Sequence, residues 1–252
     1  MILVIGSRVD DVEYVQKKII DAKIETIANR YEVYVGIYGG KEIACAATGY
    51  GQEMSAMITA LLIERYRPYL VVNIGTVSSI SPNLDQGDLF FADRIYAMDV
   101  DLLALGKYRY GQIPELPMFY TSDFETMQTI HALNGMNKNR RIVHGVLLSS
   151  NKFYNDLEEV KALINKHFLK VNNIVAIDTE TAGMASACHL FDVPLVVFKA
   201  CNYEVGNAHQ FLSRVRIGVE QTPDIGLLLT LLFNDFNNAM VNNNGEGNVG
   251  HV

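Results

Sequence analysis

A single-domain, three-layer α/β fold with a mixed, largely parallel central sheet flanked by helices is the architecture this sequence predicts. Three features predict it. Short apolar, β-branched runs recur along the chain, as ILVI (2–5), YLVVNI (69–74), IVHGVLL (142–148), NIVAI (173–177) and PLVVF (194–198); this is the composition of strands buried on both faces. Segments of helical pattern lie between them. No repeat or linker divides the chain, and 252 residues suffice for one large core.

In chain order, Ile2–Ile5 runs into Gly6 as a buried strand meeting a turn. Asp10 and Asp11 open a helical pattern reaching about Ile20, since the dipole favours acids in a first turn. Tyr31 to Ala47 alternates about Gly39-Gly40, which predicts a hairpin. A helix over about Met54–Tyr66 stops before Pro68, and strand YLVVNIG ends at Gly75. Asp88–Arg94 is the next strand, and 100–120 reads as irregular. There follow a helix near Asp123–Leu133, strand 142–150, a helix near Leu157–Phe168, strand 173–178, a helix over 181–191, strand 194–200 and a last helix from about Asp224 to Phe236. The domain is expected to span 1–238, and the Asn- and Gly-rich tail 239–252 to be disordered.

Composition narrows the function. With 49% hydrophobic and 19% charged residues, the chain has the balance of a globular enzyme and not of a disordered one. A net charge of -7 and the lack of a basic face argue against a nucleic-acid partner. The start MILVIGSRVDD lacks the features of a secretory signal, and no apolar run approaches the roughly 20 residues that span a bilayer. A soluble, cytoplasmic protein with no membrane partner is expected. Cys45, Cys188 and Cys201 form no C-x-x-C pair and sit in apolar runs, the pattern of buried thiols in a reducing compartment. No H-E-x-x-H or His/Cys cluster suggests a metal. There is no G-x-S-x-G elbow and no G-x-G-x-x-G after Ile5, so neither a serine hydrolase nor a dinucleotide site is predicted, and no cofactor is expected.

Four segments, VVNIGTVSSISPNLDQGDLFFAD (71–93), MDVDLLALGKYRYGQIPELP (98–117), GVLLSSNKFYND (145–156) and VAIDTETAGMASACHLFDVPLVVFKA (175–200), together resemble the bacterial 5′-methylthioadenosine/S-adenosylhomocysteine nucleosidases. The match is collinear from residue 1 to about 236. The resemblance implies a homodimer that binds a small-molecule purine nucleoside and hydrolyses its N-glycosidic bond to free adenine. It also implies that the loop GQIPELP (111–117) reaches the neighbouring subunit's site and lines the apolar 5′ end. In that family one carboxylate positions the attacking water, a second grips the ribose hydroxyls, an acid protonates the purine at N7, and an aromatic ring stacks on the base.

Carried over residue by residue, Glu180 in DTET takes the ribose-gripping place, at a strand end where open α/β sheets put ligands. A carboxylate can accept bonds from both hydroxyls; the plain alternative is a helix-start acid stabilised by the dipole. Asp178 stands where the family usually has Glu, and Thr179 where it has Met. Asp11 falls at the water-positioning place, one C–C bond of roughly 1.5 Å shorter than the family's Glu. Such a retreat is of the size that costs about a hundredfold unless a second water bridges it. Phe153 matches the stacking ring, Tyr154 lends its backbone to the base edge, and Thr76 matches a Ser near the ribose beside Gly75.

The departure lies in KACNYEVGN, where the family has Arg-Ala-x-Ser-Asp. Aligned without gaps, Lys199, Asn202 and Tyr203 stand there, Tyr203 in the general acid's place, with Glu204 the nearest carboxylate. A tyrosine, with an ordinary pKa of about 10, donates a hydrogen bond but is a weak proton source. The Asn202 amide is a second donor for N7. Before Gly75 the chain reads VVNI without an Arg, and Arg8 is the only basic residue of the first loop, so hydrolysis is favoured over phosphorolysis. Two alternatives stay open: a catalytically impaired nucleoside-binding homologue, and a nucleosidase of altered substrate preference.

Overall fold

The computed structural model of the protein describes residues 1–123, 126, 128 and 141–207. The chain runs β1 (Ile2–Gly6), α1 (Val9–Gln16), β2 (Ile20–Ile27), β3 (Tyr31–Tyr38), β4 (Lys41–Ala47), α2 (Gln52–Tyr66), β5 (Leu70–Asn73), β6 (Thr76–Ser79), β7 (Leu89–Ala97), β8 (Tyr120–Thr121), β9 (Ile142–Ser149), α3 (Leu157–His167), β10 (Ile174–Asp178), α4 (Thr181–Leu190) and β11 (Leu195–Glu204). Among the described residues the strands form one sheet of order β2-β3-β4-β1-β5-β11-β6-β10-β9-β7-β8. Pairs β1–β4, β1–β5, β5–β11, β6–β11, β9–β10 and β7–β9 are parallel, while β2–β3, β3–β4, β6–β10, β7–β8 and β7–β11 are antiparallel. This is the mixed sheet the sequence predicts, in a single-domain α/β fold.

β11 holds the fold together. Leu195–Val197 pairs with β5, and Ala200–Glu204 with β6. Phe198–Ala200 also pairs with β7, so that β11, β6, β10, β9 and β7 close into a ring. Nine of its ten residues are buried, which explains the run LVVFKAC: a strand paired on both edges and covered on both faces has no polar side to show. β1 and β5 are wholly buried for the same reason.

Several boundaries differ from the sequence-based expectation; β7 runs to Ala97, past the expected end at Arg94, and the two-residue β8 lies where no strand is expected. α1 ends at Gln16 and Ile20 begins β2, whose residues 20–24 are all exposed. Being on the sheet edge, it lacks the one-sided apolar alternation that marks a strand. β6 is only TVSS, too short and polar to stand out. β11 continues four residues past the expected end at 200, a consequence of its pairing with β6. The helices expected near 123–133 and 224–236, and the tail 239–252, lie outside the described residues, apart from Asp123, Thr126 and Gln128.

Cys45, Cys188 and Cys201 are buried and free, and burial pushes the Cys188 and Cys201 thiols up to about 12. No helix of the described residues is long and apolar enough to cross a membrane.

The α2–α4 contact places the residues that follow β10. A Cβ at Gly183 in α4 would sit 2.1 Å from the Gln52 carbonyl oxygen at the start of α2. Gly183→Ala is therefore expected to lower stability by about 1–3 kcal/mol or more, as overpacking against rigid backbone does. Urea unfolding measures this; an unchanged midpoint would contradict the close approach.

Candidate active site

A cavity of about 410 Å³ opens where β1, β9, β10 and β11 end and β6 begins. That volume lies within the range of small-ligand sites. Its walls bring together Thr76, Phe153, Tyr154, Asp178, Thr179, Glu180, Asn202 and Tyr203. It is also lined by Ser7, Arg8, Tyr50, Asn151 and Lys152, which the sequence did not single out as site residues.

The cavity floor is a buried charge cluster. β10 delivers Asp178, and Glu180 follows at the start of α4, only 5% exposed. Lys199, in the middle of β11, is wholly buried; its Nζ donates to Asp178 Oδ2 at 2.7 Å and to Glu180 Oε1 at 3.1 Å. Thr179 donates to Glu180 Oε2 from its backbone N–H at 3.1 Å and its hydroxyl at 2.7 Å. Asp178 accepts from the Thr181 hydroxyl and, at 3.3 Å, from the Thr181 backbone N–H, which fixes the start of α4. Burial, with the Asp178 charge added, pushes the Glu180 carboxyl above its ordinary range, against the pull of Lys199. For Lys199 burial acts to lower the ammonium, but Asp178 and Glu180 outweigh it and hold it above its usual value. Sequence reasoning had one signal for Lys199: a lysine inside an apolar run is almost never fully buried unless paired.

Asp11 stands just behind this floor. It is buried in the first turn of α1, where its Oδ2 accepts from Ser7 Oγ at 3.0 Å and from the Arg8 backbone N–H at 2.9 Å. Burial pushes its carboxyl up, opposed by the Arg8 N–H and by the Lys199 charge. Asp11 is not among the cavity-lining residues, whereas its partner Ser7 is, in keeping with the short reach of aspartate. Gly75 explains how the carboxylate fits: at φ 136° its missing Cβ would lie 3.1 Å from Asp11 Cγ. The close approach that Gly75 permits is thus to Asp11.

At the other end, Phe153 is 46% exposed on the loop after β9, its ring centroid 6.3 Å from that of Tyr203 and tilted by 36°. The loop is pinned at Asn151, which accepts from the Gln52 N–H at 2.8 Å and donates its own N–H to Asp99 at 2.7 Å. The Tyr154 ring packs into the buried cluster with Tyr96 and Val160. β11 shifts register against β6 between Cys201 and Tyr203, and as a result the successive residues Asn202 and Tyr203 both reach the cavity. Asn202 is 1% exposed, and its Oδ1 has no hydrogen-bond partner among the described residues. Glu204 does not join them. It is exposed and lines a separate shallow groove with Asn155 and Gly206, which corrects its candidacy as the replacement acid. The register shift is the physical reason, since it presents Tyr203 inward and leaves Glu204 to the outside.

Among the described residues, no group of three or more His, Cys, Asp or Glu is placed to hold a metal ion.

The family model for the phosphorylase superfamily matches residues 1–221. The 5′-methylthioadenosine/S-adenosylhomocysteine nucleosidase of Bacillus subtilis (strain 168) is 32% identical over 226 residues, covering 85% of this chain and 92% of its own. The enzyme of the same name from Anoxybacillus flavithermus is 28% identical over 241 residues, 94% of this chain and 99% of its own. The crystal structure of the Neisseria meningitidis nucleosidase of that name, in complex with methylthio-immucillin-A, matches with a TM-score of 0.83 over 93% of this chain and 98% of its own, at 24% identity. Sequence similarity along most of its length and a shared fold lead to one assignment: the chain belongs to the phosphorylase superfamily and, within it, to the 5′-methylthioadenosine/S-adenosylhomocysteine nucleosidase family.

Proposed function

We propose that this protein hydrolyses the N-glycosidic bond of 5′-methylthioadenosine- or S-adenosylhomocysteine-type nucleosides and releases adenine. The observation that carries the reading is a buried carboxylate, Glu180, in the same cavity as the half-exposed Phe153 ring. Glu180 accepts from the ribose hydroxyls, Phe153 covers the purine, and Thr76, Thr179 and Tyr154 complete the walls. Asp178 and Lys199 set the position of Glu180. Water adds to C1′ as the C1′–N9 bond breaks with its electron pair going to the purine; Asp11 takes the water's proton through a bridging water, and the departing adenine takes up a proton from solvent.

The sugar passes through an oxocarbenium-like state. Asp11, Asp178 and Glu180 stand against two cations, Lys199 within the cluster and Arg8 beside Asp11, so the floor keeps excess negative charge where that positive charge develops. On the base side, Asn202 Nδ2 donates to N7 and its unpartnered Oδ1 suits the 6-amino group, the two-point match an Asn makes with adenine. Tyr203 stands in the acid's place as a donor. One second reading is favoured by a specific observation. With Tyr203 inward and Glu204 outward, the base end has no carboxylic acid among the described residues lining it, as a slow or binding-only homologue would have.

The test is base release from 5′-methylthioadenosine, S-adenosylhomocysteine, adenosine and inosine, with and without phosphate. Adenine release independent of phosphate is expected. Release only with phosphate contradicts hydrolysis, and binding without release supports the second reading. Tyr203→Asp is expected to raise turnover by about 10²–10⁴-fold, the usual worth of a general acid; no gain would remove position 203 from that role.

Asp11 and Glu180 work ionised, and burial raises both carboxyls. Activity should therefore be lost as pH falls through values above the ordinary carboxylate range of about 4. A kcat/KM profile flat down to that value would contradict their roles.

A homodimer with loop 111–117 beside the neighbouring site is part of the same reading. Exposed Met57 and Leu61 on α2, with Leu103 and Leu105 in the loop region after β7, support an apolar contact face.

A further inference from the structure

With the nucleoside held as proposed, a reading on which this inference rests, part of the cavity wall has no role yet. Ser7 and Arg8 supply it from the end of β1, and Tyr50 and Gly51 from the segment after β4. The stretch adjoins the rest of the site: Arg8 bonds Asp11 through its backbone N–H, and a Cβ at Gly51 would sit 3.3 Å from Asn151 Oδ1 on the loop that carries Phe153. With the ribose hydroxyls on Glu180 and the base under Phe153, this stretch is wall left to receive the 5′ substituent.

The cation of this wall is Arg8. The Arg8 side chain is 15% exposed, and its Nη2 pairs with Asp10. Its Nε and Nη1 donate to no described residue. Asp10 is itself 45% exposed, and such water-screened pairs are worth only about 0–1 kcal/mol. Two other carboxylates stand nearby: Asp11, whose Oδ2 is filled by Ser7 and by the Arg8 backbone, and Glu53, which accepts from Asn151 and lies 3.8 Å from where a Cβ at Gly51 would be. Lys152, the second cation lining the cavity outside the floor, is committed to Glu159 and to the Tyr154 ring, 4.8 Å away. Arg8 thus lines the cavity with one of its three guanidinium nitrogens held by Asp10, and the exposed Tyr50 stands beside it. A guanidinium fork matches a carboxylate in shape as well as charge.

We infer that Arg8 makes this end of the cavity a receptor for an oxyanion tethered to C5′, so that nucleosides bearing an amino-acid thioether are preferred to those with a neutral methylthio group. Free inorganic phosphate offers similar chemistry, and the test separates the two.

The experiment measures kcat/KM for adenine release from S-adenosylhomocysteine and from 5′-methylthioadenosine in phosphate-free buffer, with dissociation constants by calorimetry in parallel. Wild type, Arg8→Met and Arg8→Lys are compared. In Arg8→Met the preference for S-adenosylhomocysteine is expected to fall about 10–100-fold, the worth of a charged hydrogen bond. Arg8→Lys should keep part of it, since lysine retains the charge but not the fork. An unchanged ratio in turnover and binding overturns the inference. So does added phosphate that speeds base release in wild type but not in Arg8→Met, which would assign Arg8 to the free anion. If wild type binds both nucleosides but cleaves neither, hydrolysis is contradicted and the ratio of dissociation constants still decides Arg8. If it binds neither, both readings fall.

Discussion

Replacing Lys199 with Met is expected to lower the unfolding free energy by about 3–5 kcal/mol, the cost of removing one partner from a buried ion cluster. Lys199 is wholly buried and answers Asp178 at 2.7 Å and Glu180 at 3.1 Å. Without it two carboxylates face each other in a dry site beside a third, Asp11, and must take up protons or water. Methionine keeps most of the side-chain length, so the loss reports charge more than volume. Arginine keeps the charge but has to find room in a strand paired on both edges, and Lys199→Arg should lie between. Urea unfolding at neutral pH measures all three. A loss below about 1 kcal/mol for Lys199→Met would place the cluster in a wetter, more screened setting than its burial indicates.

The second large effect is on activity. Glu180→Ala is expected to reduce kcat/KM for base release by about 10²–10⁴-fold, as two charge-assisted hydrogen bonds to the ribose are each worth about 1.5–3 kcal/mol. The fold should survive, because Lys199 keeps Asp178 and the Thr181 contacts that start α4 do not involve Glu180. This separates Glu180 from Lys199: one variant loses chemistry with its structure intact, the other loses structure first. Full activity in Glu180→Ala would remove it from the sugar.

The parts of the fold that were legible in the sequence are those where burial is two-sided. β1, β5 and β9 to β11 announce themselves as apolar, β-branched runs because both of their faces are covered. β2 was not legible, since an edge strand open on both faces has no reason to alternate: the helical pattern ran to about Ile20, and the rest of IDAKIETI carried no strand signal. β6 was hidden by its small polar side chains, although it carries Thr76 and pairs with the part of β11 that bears Tyr203.

The site was legible to different depths. Glu180 and Phe153 came from the resemblance, and the structure puts both on one cavity. Lys199 was visible only as an anomaly in an apolar run, its partners lying 19 and 21 positions earlier in sequence. Ser7, Arg8, Tyr50 and Asn151 carry no local signal: three separate loops meet because β1 lies beside β4 and because Asn151 bonds the start of α2. The choice between Tyr203 and Glu204 turned on a one-residue register shift, which no spacing rule reports.

The most direct measurement is a crystal structure with a non-hydrolysable 5′-methylthioadenosine analogue. It should show the Glu180 carboxylate about 2.5–3.0 Å from both ribose hydroxyls and the Phe153 ring lying on the purine face. A purine seated away from Phe153, with Glu180 still bonded only to Thr179 and Lys199, would contradict the nucleoside site.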